Sequence, residues 1–249
     1  MSVKSLWYEI DAFLRRFLSP AVKYIFVVNT IVFLFQALVV RILILLVPSL
    51  KSPFAFLLGY YLPEIPMLSI YKFYLWQFVT YMFLHITPLH FLFNMLILFF
   101  FAPRLEWRWG SWGFIKFYFV VGVGAGIIHA IVSIIAGRAS EGMIGASGAL
   151  YGVLLAFALY WPEERVWVMG VVPVKMKVVI IVLGIFAFIG SIGPAVDDIS
   201  HITHLGGLIV AFVYLKGPDI WRQLHGKSRP SHLQGHTFDR FSDRDIWRR

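Results

Sequence analysis

Long apolar runs fill most of the chain between about residues 20 and 215, and short polar or proline-rich stretches separate them. A helix that crosses the hydrocarbon core of a bilayer needs about 20 mostly apolar residues. Runs of that size predict an all-α polytopic membrane protein with six spans, whose ends are fixed to within about two to four residues. In chain order the spans are Ala21 to Val47, Tyr81 to Ala102, Gly113 to Ile135, Ile144 to Trp161, Val172 to Ile192 and Ile199 to Leu215.

The segments outside the spans differ in character. The apolar stretch from Pro53 to Pro63 is about 11 residues long, which is too short to span a membrane. We therefore expect a long first loop, about Pro48 to Leu75, that is partly embedded. The pattern predicts a cytoplasmic amphipathic lead-in over residues 1–19, a membrane domain over residues 20–216 and a basic cytoplasmic tail over residues 217–249.

Composition agrees with a membrane protein. The chain is 59% hydrophobic and 14% charged, whereas a soluble globular protein has about 25% charged residues. The net charge of +9 is explained by cationic loops that face anionic lipid, and binding of nucleic acid is not expected. The chain has no cysteine, which excludes a disulfide framework, a thiolate nucleophile and a cysteine-ligated metal.

The distribution of Lys and Arg predicts the orientation. With the N-terminus in the cytoplasm, about 18 of these residues fall on the inner side and 4 on the outer side. Under the positive-inside rule both termini are then cytoplasmic. Spans 2, 4 and 6 run from outside to inside, so their polar residues lie within about 20 Å of the outer boundary. We expect a multi-pass protein with a common site open to the outer side.

Two glycine-rich segments carry the candidate chemistry. Span 4 contains Gly145-Ala146-Ser147-Gly148-Ala149-Leu150-Tyr151-Gly152, and span 6 contains His204-Leu205-Gly206-Gly207. Small residues let helices approach closely, so Ser147 and His204 can meet, and an imidazole can activate a serine as a nucleophile. With no evident acid to complete a triad, the pattern favours a Ser-His dyad. The alternative is plain helix packing, with Ser147 bonded back to its own helix.

Other polar residues have supporting interpretations. His90 and Asn94 share a face of span 2 and, with the backbone N–H of Ser147, could bind an oxyanion; alternatively they bond each other and a neighbouring helix. Tyr151 lies one turn below Ser147 and could pack on His204, or it is an ordinary core aromatic. His85 is expected to face the first loop and support structure. His129 and His201 have no partner that the sequence identifies.

The ordered set of motifs resembles the rhomboid family of intramembrane serine proteases. The matching residues are Trp76-Gln77 and Thr80, His85, His90-Phe91-Leu92-Phe93-Asn94, Glu106, Gly110, Gly145-Ala146-Ser147-Gly148 and His204-Leu205-Gly206-Gly207.

The resemblance implies a six-helix rhomboid-like bundle that cleaves single-span membrane proteins near the outer face. It implies Ser147 as the nucleophile, His204 as the general base and then acid, His90, Asn94 and the Ser147 amide as oxyanion donors, and Tyr151 stacked on His204. Gly145, Gly148 and His85 would support the site, and Glu106 would make structural hydrogen bonds. The expected partners are transmembrane substrates and the lipid bilayer, with no cofactor and no metal. Six spans without a seventh resemble the basic prokaryotic layout of the family, which implies a prokaryotic plasma membrane.

Two other functions stay open on the sequence. A histidine-lined transporter would use several membrane histidines to relay protons or bind a metal. A catalytically inactive rhomboid-like protein would bind membrane proteins without cutting them. A zinc protease is disfavoured because the chain has no His-Glu-x-x-His string.

Overall fold

The computed structural model describes residues 17–47, 49, 51–168, 171–192 and 198–224. Most of the predicted lead-in (residues 1–16) and most of the basic tail (residues 225–249) lie outside the described residues.

The chain is mostly helical. Helix α1 covers Pro20–Leu34, passes through a π-helical turn at Phe35–Val39 and continues over Val40–Leu46. Of the described helices, Pro20–Leu46 and Pro88–Ile135 are long and apolar enough to cross a membrane by length and composition. Ser147–Tyr160 and Met176–Ile192 are shorter apolar helices.

The first loop folds into short helices instead of a span. Helix α2, Lys51–Phe56, runs into a π-helical turn at Leu57–Tyr61. Helices α3, Pro66–Ser69, and α4, Gln77–Thr80, follow, and a 3-10 turn at Tyr81–Phe83 ends the loop. The Gln77 amide donates to the carbonyls of Tyr60 and Tyr61, which ties the two halves of the loop together.

Helix α5, Pro88–Ile135, contains the second and third predicted spans, and a break at Gly110 divides it into two arms. Gly110 has φ of 74°, a left-handed conformation that glycine adopts without penalty. The predicted start of span 2 at Tyr81 is wrong by seven residues, because the chain is extended at Leu84 and Thr87 before the helix begins. The Thr87 side chain caps the helix by accepting from the His90 N–H.

A hairpin separates the next two helices. Helix α6 is Ser147–Tyr160, and strands β1, Arg165–Val168, and β2, Val172–Lys175, pair antiparallel before helix α7, Met176–Ile192. The predicted all-α class holds for most of the chain, but the predicted start of the fifth span at Val172 falls in β2, and α7 begins at Met176. The β-branched valines of both strands favour the pleated conformation.

Helix α8, Asp198–Leu224, is the last described element and continues past Leu215 through Pro218. It runs beyond the predicted end of the membrane domain at residue 216. Helices α5, α6 and α8 pack on one another and α7 packs on α8. The main core lies among the first three of these with α1, and its fully buried members include Phe114, Phe117, Val121, Leu150 and Ala211.

Candidate active site

Ser147 is the first residue of α6, although its predicted position was a few residues inside a span. The difference comes from Gly145, whose φ of 124° keeps the preceding segment out of the helix. A Cβ on Gly145 would also lie 2.8 Å from the His90 ring, so both the backbone and the space require glycine. At a helix N-terminus the first backbone N–H groups have no partner within the helix, and the helix dipole is positive there.

Ser147 and His204 are in hydrogen-bond contact across two helices. The distance from Ser147 Oγ to His204 Nε2 is 2.8 Å. A Cβ on Gly207 would collide with the carbonyl oxygen of Gly148, and a Cβ on Gly148 would lie 2.9 Å from Thr203. The absence of side-chain bulk at these two glycines is what lets α6 and α8 approach so closely.

Tyr151 stacks on the His204 ring. The ring centroids are 4.1 Å apart and the ring planes differ by 5°. Because Tyr151 lies four residues after Ser147 in α6, one helix supplies both the hydroxyl and the ring that flanks the imidazole.

His90 and Asn94 lie one turn apart in the first arm of α5. The Asn94 side-chain amide donates to the His90 carbonyl at 2.9 Å, and Asn94 is only 3% exposed. An amide carries two N–H bonds, and this contact uses one of them. The sequence left open whether His90 and Asn94 bond each other. They do, but the bond uses the backbone carbonyl of His90 and does not involve its ring.

A cavity of about 800 Å³ connects these groups. Its lining includes six of the predicted site residues, namely Ser147, His204, His90, Asn94, Tyr151 and Gly145, while Gly148 and His85 are not among the lining residues. The remaining wall is largely apolar and comes from the first loop, from α5 and from residues 140–145. The cavity can therefore accept an extended apolar chain next to the Ser147 hydroxyl, which is in contact with the His204 imidazole.

His85 lies beside the site and not in it. Its backbone N–H donates to the Gln36 side chain of α1 at 3.3 Å, and its buried ring packs edge-on against His90 and Phe91. His201 packs edge-on near His204 at 6.3 Å, in a space that Gly190 of α7 leaves open.

His129, for which the sequence identified no partner, has two in the structure. His129 Nδ1 lies 2.5 Å from Glu64 Oε2, and its Nε2 lies 3.1 Å from the Ser133 hydroxyl. Sequence reasoning missed Glu64 because its partner is 65 residues away. The available signal was a carboxylate placed between Pro63 and Pro66 in an otherwise apolar stretch. Thr203, next to His204, was also missed; its hydroxyl donates to the Met143 sulfur at 2.7 Å.

Glu106 is buried where α1 meets α5. It accepts hydrogen bonds from the Ser19 hydroxyl, from the backbone N–H groups of Ala21 and Val22, and from the Ser111 hydroxyl. The structural hydrogen bonds that the sequence led us to expect of Glu106 are therefore present.

Glu163 lies in the loop between α6 and β1. Among the described residues outside the helices, it is the one carboxyl group whose pKa is shifted strongly. Glu163 lies 2.7 Å from Lys175 Nζ and also pairs with Lys177. Hydrogen bonds from the two lysines lower the pKa of Glu163 to about 2. Within the described part of the chain, no three His, Asp or Glu side chains converge in a way that could hold a metal ion.

The fold and the site together define a helical protein with a Ser-His pair at an internal cavity, and two of its described helices are long and apolar enough to cross a membrane. A family model for the rhomboid domain matches residues 72–217, which is more than half of the chain and contains every predicted site residue, so the chain belongs to the rhomboid family.

Curated relatives agree with this membership. Rhomboid-like protease 2 of Toxoplasma gondii is 28% identical over 158 residues, 63% of this chain and 51% of the relative. Putative rhomboid protease YdcA of Bacillus subtilis is 30% identical over 139 residues, 55% of this chain and 66% of the relative. RHOMBOID-like protein 1 of Arabidopsis thaliana is 29% identical over 152 residues, 60% of this chain and 37% of the relative. The chain thus covers less than two thirds of each of these relatives.

Proposed function

We propose that this protein is an intramembrane serine endopeptidase that cleaves single-span membrane proteins with a Ser-His dyad. The observation that carries the proposal is the 2.8 Å contact between Ser147 Oγ and His204 Nε2 at the wall of the cavity. Membership of a family whose curated relatives include proteins named as rhomboid proteases supports it.

In the proposed reaction, Ser147 Oγ attacks the carbonyl carbon of the substrate while His204 Nε2 takes the hydroxyl proton. The imidazolium then gives this proton to the leaving amine, and the C–N bond breaks to leave an acyl-enzyme. A water molecule, deprotonated by His204, attacks the acyl carbon, and the proton returns to Ser147 Oγ as the ester bond breaks.

The negative charge of the tetrahedral intermediate needs donors that are already in place. The backbone N–H of Ser147 is available because Ser147 begins α6, and the positive end of the helix dipole favours an anion there. The Asn94 amide has a second N–H, and the His90 ring lies against Gly145 on the same cavity wall. We assign these three groups to the oxyanion site.

Tyr151 is proposed to hold the His204 imidazole in the plane that faces Ser147. The nearly parallel stack at 4.1 Å supports this role, because a ring held on one face cannot rotate without losing the contact.

In the membrane, we propose six spans with both termini in the cytoplasm of a prokaryotic cell and the cavity open to the outer side. The excess of Lys and Arg on one side supports this orientation. An irregular backbone is tolerated in a membrane only within protein or a watery cavity, so a substrate helix must unwind into the cavity before its carbonyl can be attacked.

The test is cleavage of a single-span reporter by purified protein in liposomes, together with labelling by a fluorophosphonate probe. Wild type should cleave and be labelled, whereas Ser147→Ala and His204→Ala should do neither while keeping the wild-type thermal midpoint. Undiminished cleavage by Ser147→Ala would refute the proposal. Binding of the reporter by wild type without any turnover would instead favour an inactive rhomboid-like protein.

A further inference from the structure

A second polar cluster lies outside the cavity lining, at the junction of the first loop and the second arm of α5. Glu64 Oε2 accepts from His129 Nδ1 at 2.5 Å, and Glu64 Oε1 accepts from the Ser69 hydroxyl at 2.8 Å. Glu64 and His129 are both 0% exposed. Burying ionisable groups costs free energy unless they are paired and hydrogen-bonded. Both Glu64 and His129 are hydrogen-bonded, which raises the question of what this buried pair does.

The order Ser133, His129, Glu64 has the connectivity of a hydrolase triad. A second catalytic centre is nevertheless excluded by access. Ser133 is 1% exposed, and none of the three residues lines the cavity. The cluster therefore acts through other residues.

Glu64 is joined by its backbone to the segment that leads into Ser147. Its N–H donates to the Met143 carbonyl at 3.1 Å, and its carbonyl accepts from the Met143 N–H at 2.8 Å, as in a short antiparallel bridge. Two residues further on, the Gly145 N–H donates to the Tyr81 carbonyl at 2.9 Å. The position of the chain just before Ser147 thus depends on where Glu64 is held.

The same segment reaches the helix that carries the imidazole. The Met143 sulfur accepts from the Thr203 hydroxyl, and Thr203 immediately precedes His204 in α8. Met143 therefore contacts Glu64 on one side and the neighbour of His204 on the other, and it also lines the cavity.

We propose that Glu64 and His129 are positioning residues, which lock residues 142–145 in place and thereby set the distance and angle between Ser147 and His204. The Glu64 side chain cannot shift without giving up its buried hydrogen bonds to His129 and Ser69, so the backbone bridge to Met143 is held in place. This inference rests on the proposed peptidase function, because it assigns the cluster a role in that reaction.

The experiment compares Glu64→Gln, His129→Leu and His129→Gln in the full chain in liposomes, with Glu106→Gln as the matched control. Glu106 is also a buried carboxylate with several donors, but it lies where α1 meets α5 and is not among the cavity-lining residues. Two quantities are measured at a temperature where each variant is folded. They are the hydrogen-exchange rates of the amides of residues 139–146, and kcat per molecule labelled by the probe.

We expect Glu64→Gln and His129→Leu to exchange the Met143 and Gly145 amides at least about tenfold faster and to lower kcat by up to about 100-fold, since small misplacements of reacting groups cost that much. His129→Gln keeps a donor toward Glu64 and should recover part of both losses. Glu106→Gln should lower the thermal midpoint without changing either quantity.

Wild-type exchange and kcat in folded Glu64→Gln would overturn the proposal, and so would equal losses in Glu106→Gln. If Glu64→Gln does not fold, Ser69→Ala removes one donor to the same carboxylate and is judged by the same two quantities. Absence of cleavage and labelling in wild type would defeat the proposed function, while the exchange measurement would still decide whether Glu64 fixes residues 142–145.

Discussion

Replacing Gly207 by alanine tests how closely the two glycine-bearing helices must approach. A Cβ at residue 207 would lie 2.9 Å from the carbonyl carbon of Gly148 and would collide with its oxygen. The Cβ would lie about 1 Å closer to that oxygen than real Cβ atoms approach other heavy atoms, so α6 and α8 must separate by at least about 1 Å. That shift would stretch the 2.8 Å contact between Ser147 and His204 to about 3.8 Å, outside the normal range of a hydrogen bond.

The expected effect on stability is small compared with the effect on rate. Overpacking costs about 1–3 kcal/mol, and alanine is about 1 kcal/mol better than glycine inside a helix. The net loss of about 0–2 kcal/mol leaves most molecules folded if the protein has ordinary stability. Cleavage, in contrast, should fall about 100-fold, because the nucleophile and its base are misplaced.

The assay is the initial rate of reporter cleavage at a temperature where both proteins are folded, with the thermal midpoint measured in parallel. Gly184→Ala is the control, because a Cβ there would meet Leu208 at 3.7 Å, an ordinary contact. It should keep the wild-type rate. Folded Gly207→Ala with the wild-type rate would refute the reasoning. An equal loss in Gly184→Ala, which lies in α7, would show that a methyl group added to any helix next to α8 has the same effect.

Three further outcomes are expected. Asn94→Ala should lower kcat by roughly 100- to 1000-fold yet leave more cleavage than Ser147→Ala; loss of folding instead would assign Asn94 to the scaffold. Tyr151→Phe keeps the stacked ring and should retain most of the cleavage rate, whereas Tyr151→Leu should lose it, and equal rates in the two variants would contradict a positioning role. Glu163 should titrate with a midpoint near 2 by carboxyl NMR. Because the folded state lowers this pKa, the contribution of Glu163 to stability is present above the ordinary pKa of about 4.3 and is lost as the pH falls toward 2. Lys175→Ala with Lys177→Ala should return the midpoint toward 4, and an unchanged midpoint would show that the lysines are not the cause.

The pairing of Ser147 with His204 could be predicted because each lies beside glycines whose effect on helix packing is local. The start of α6 at Ser147 could not, since it depends on the positive φ of Gly145, which the sequence does not specify. The hairpin between α6 and α7 was missed because the valines of β2 are as apolar as those of a span, so the fifth span was predicted to begin at Val172, while β1 fell in the loop before it.

Buried polar contacts over long sequence separations were the least predictable part of the site. His129 looked unpaired because Glu64 lies in a loop whose path depends on tertiary packing. The hydrogen bonds of Glu106 to residues 19–22 were anticipated as structural, but their donors were not identifiable, because a carboxylate gives no indication of which distant amides it will accept from.

The carboxylates at positions 64 and 106 have a bearing on where this protein can be shortened. The match to the rhomboid family begins at residue 72. Glu64 lies before that residue, and Glu106 accepts most of its hydrogen bonds from residues 19–22, which also lie before it. A fragment trimmed to the matched region would remove the carboxylate that His129 bonds and would leave buried Glu106 with the Ser111 hydroxyl as the one donor of the four. Residues 19–22 and Glu64 therefore complete buried polar contacts of the matched helices, and a shortened protein has to keep the chain from residue 19 onward.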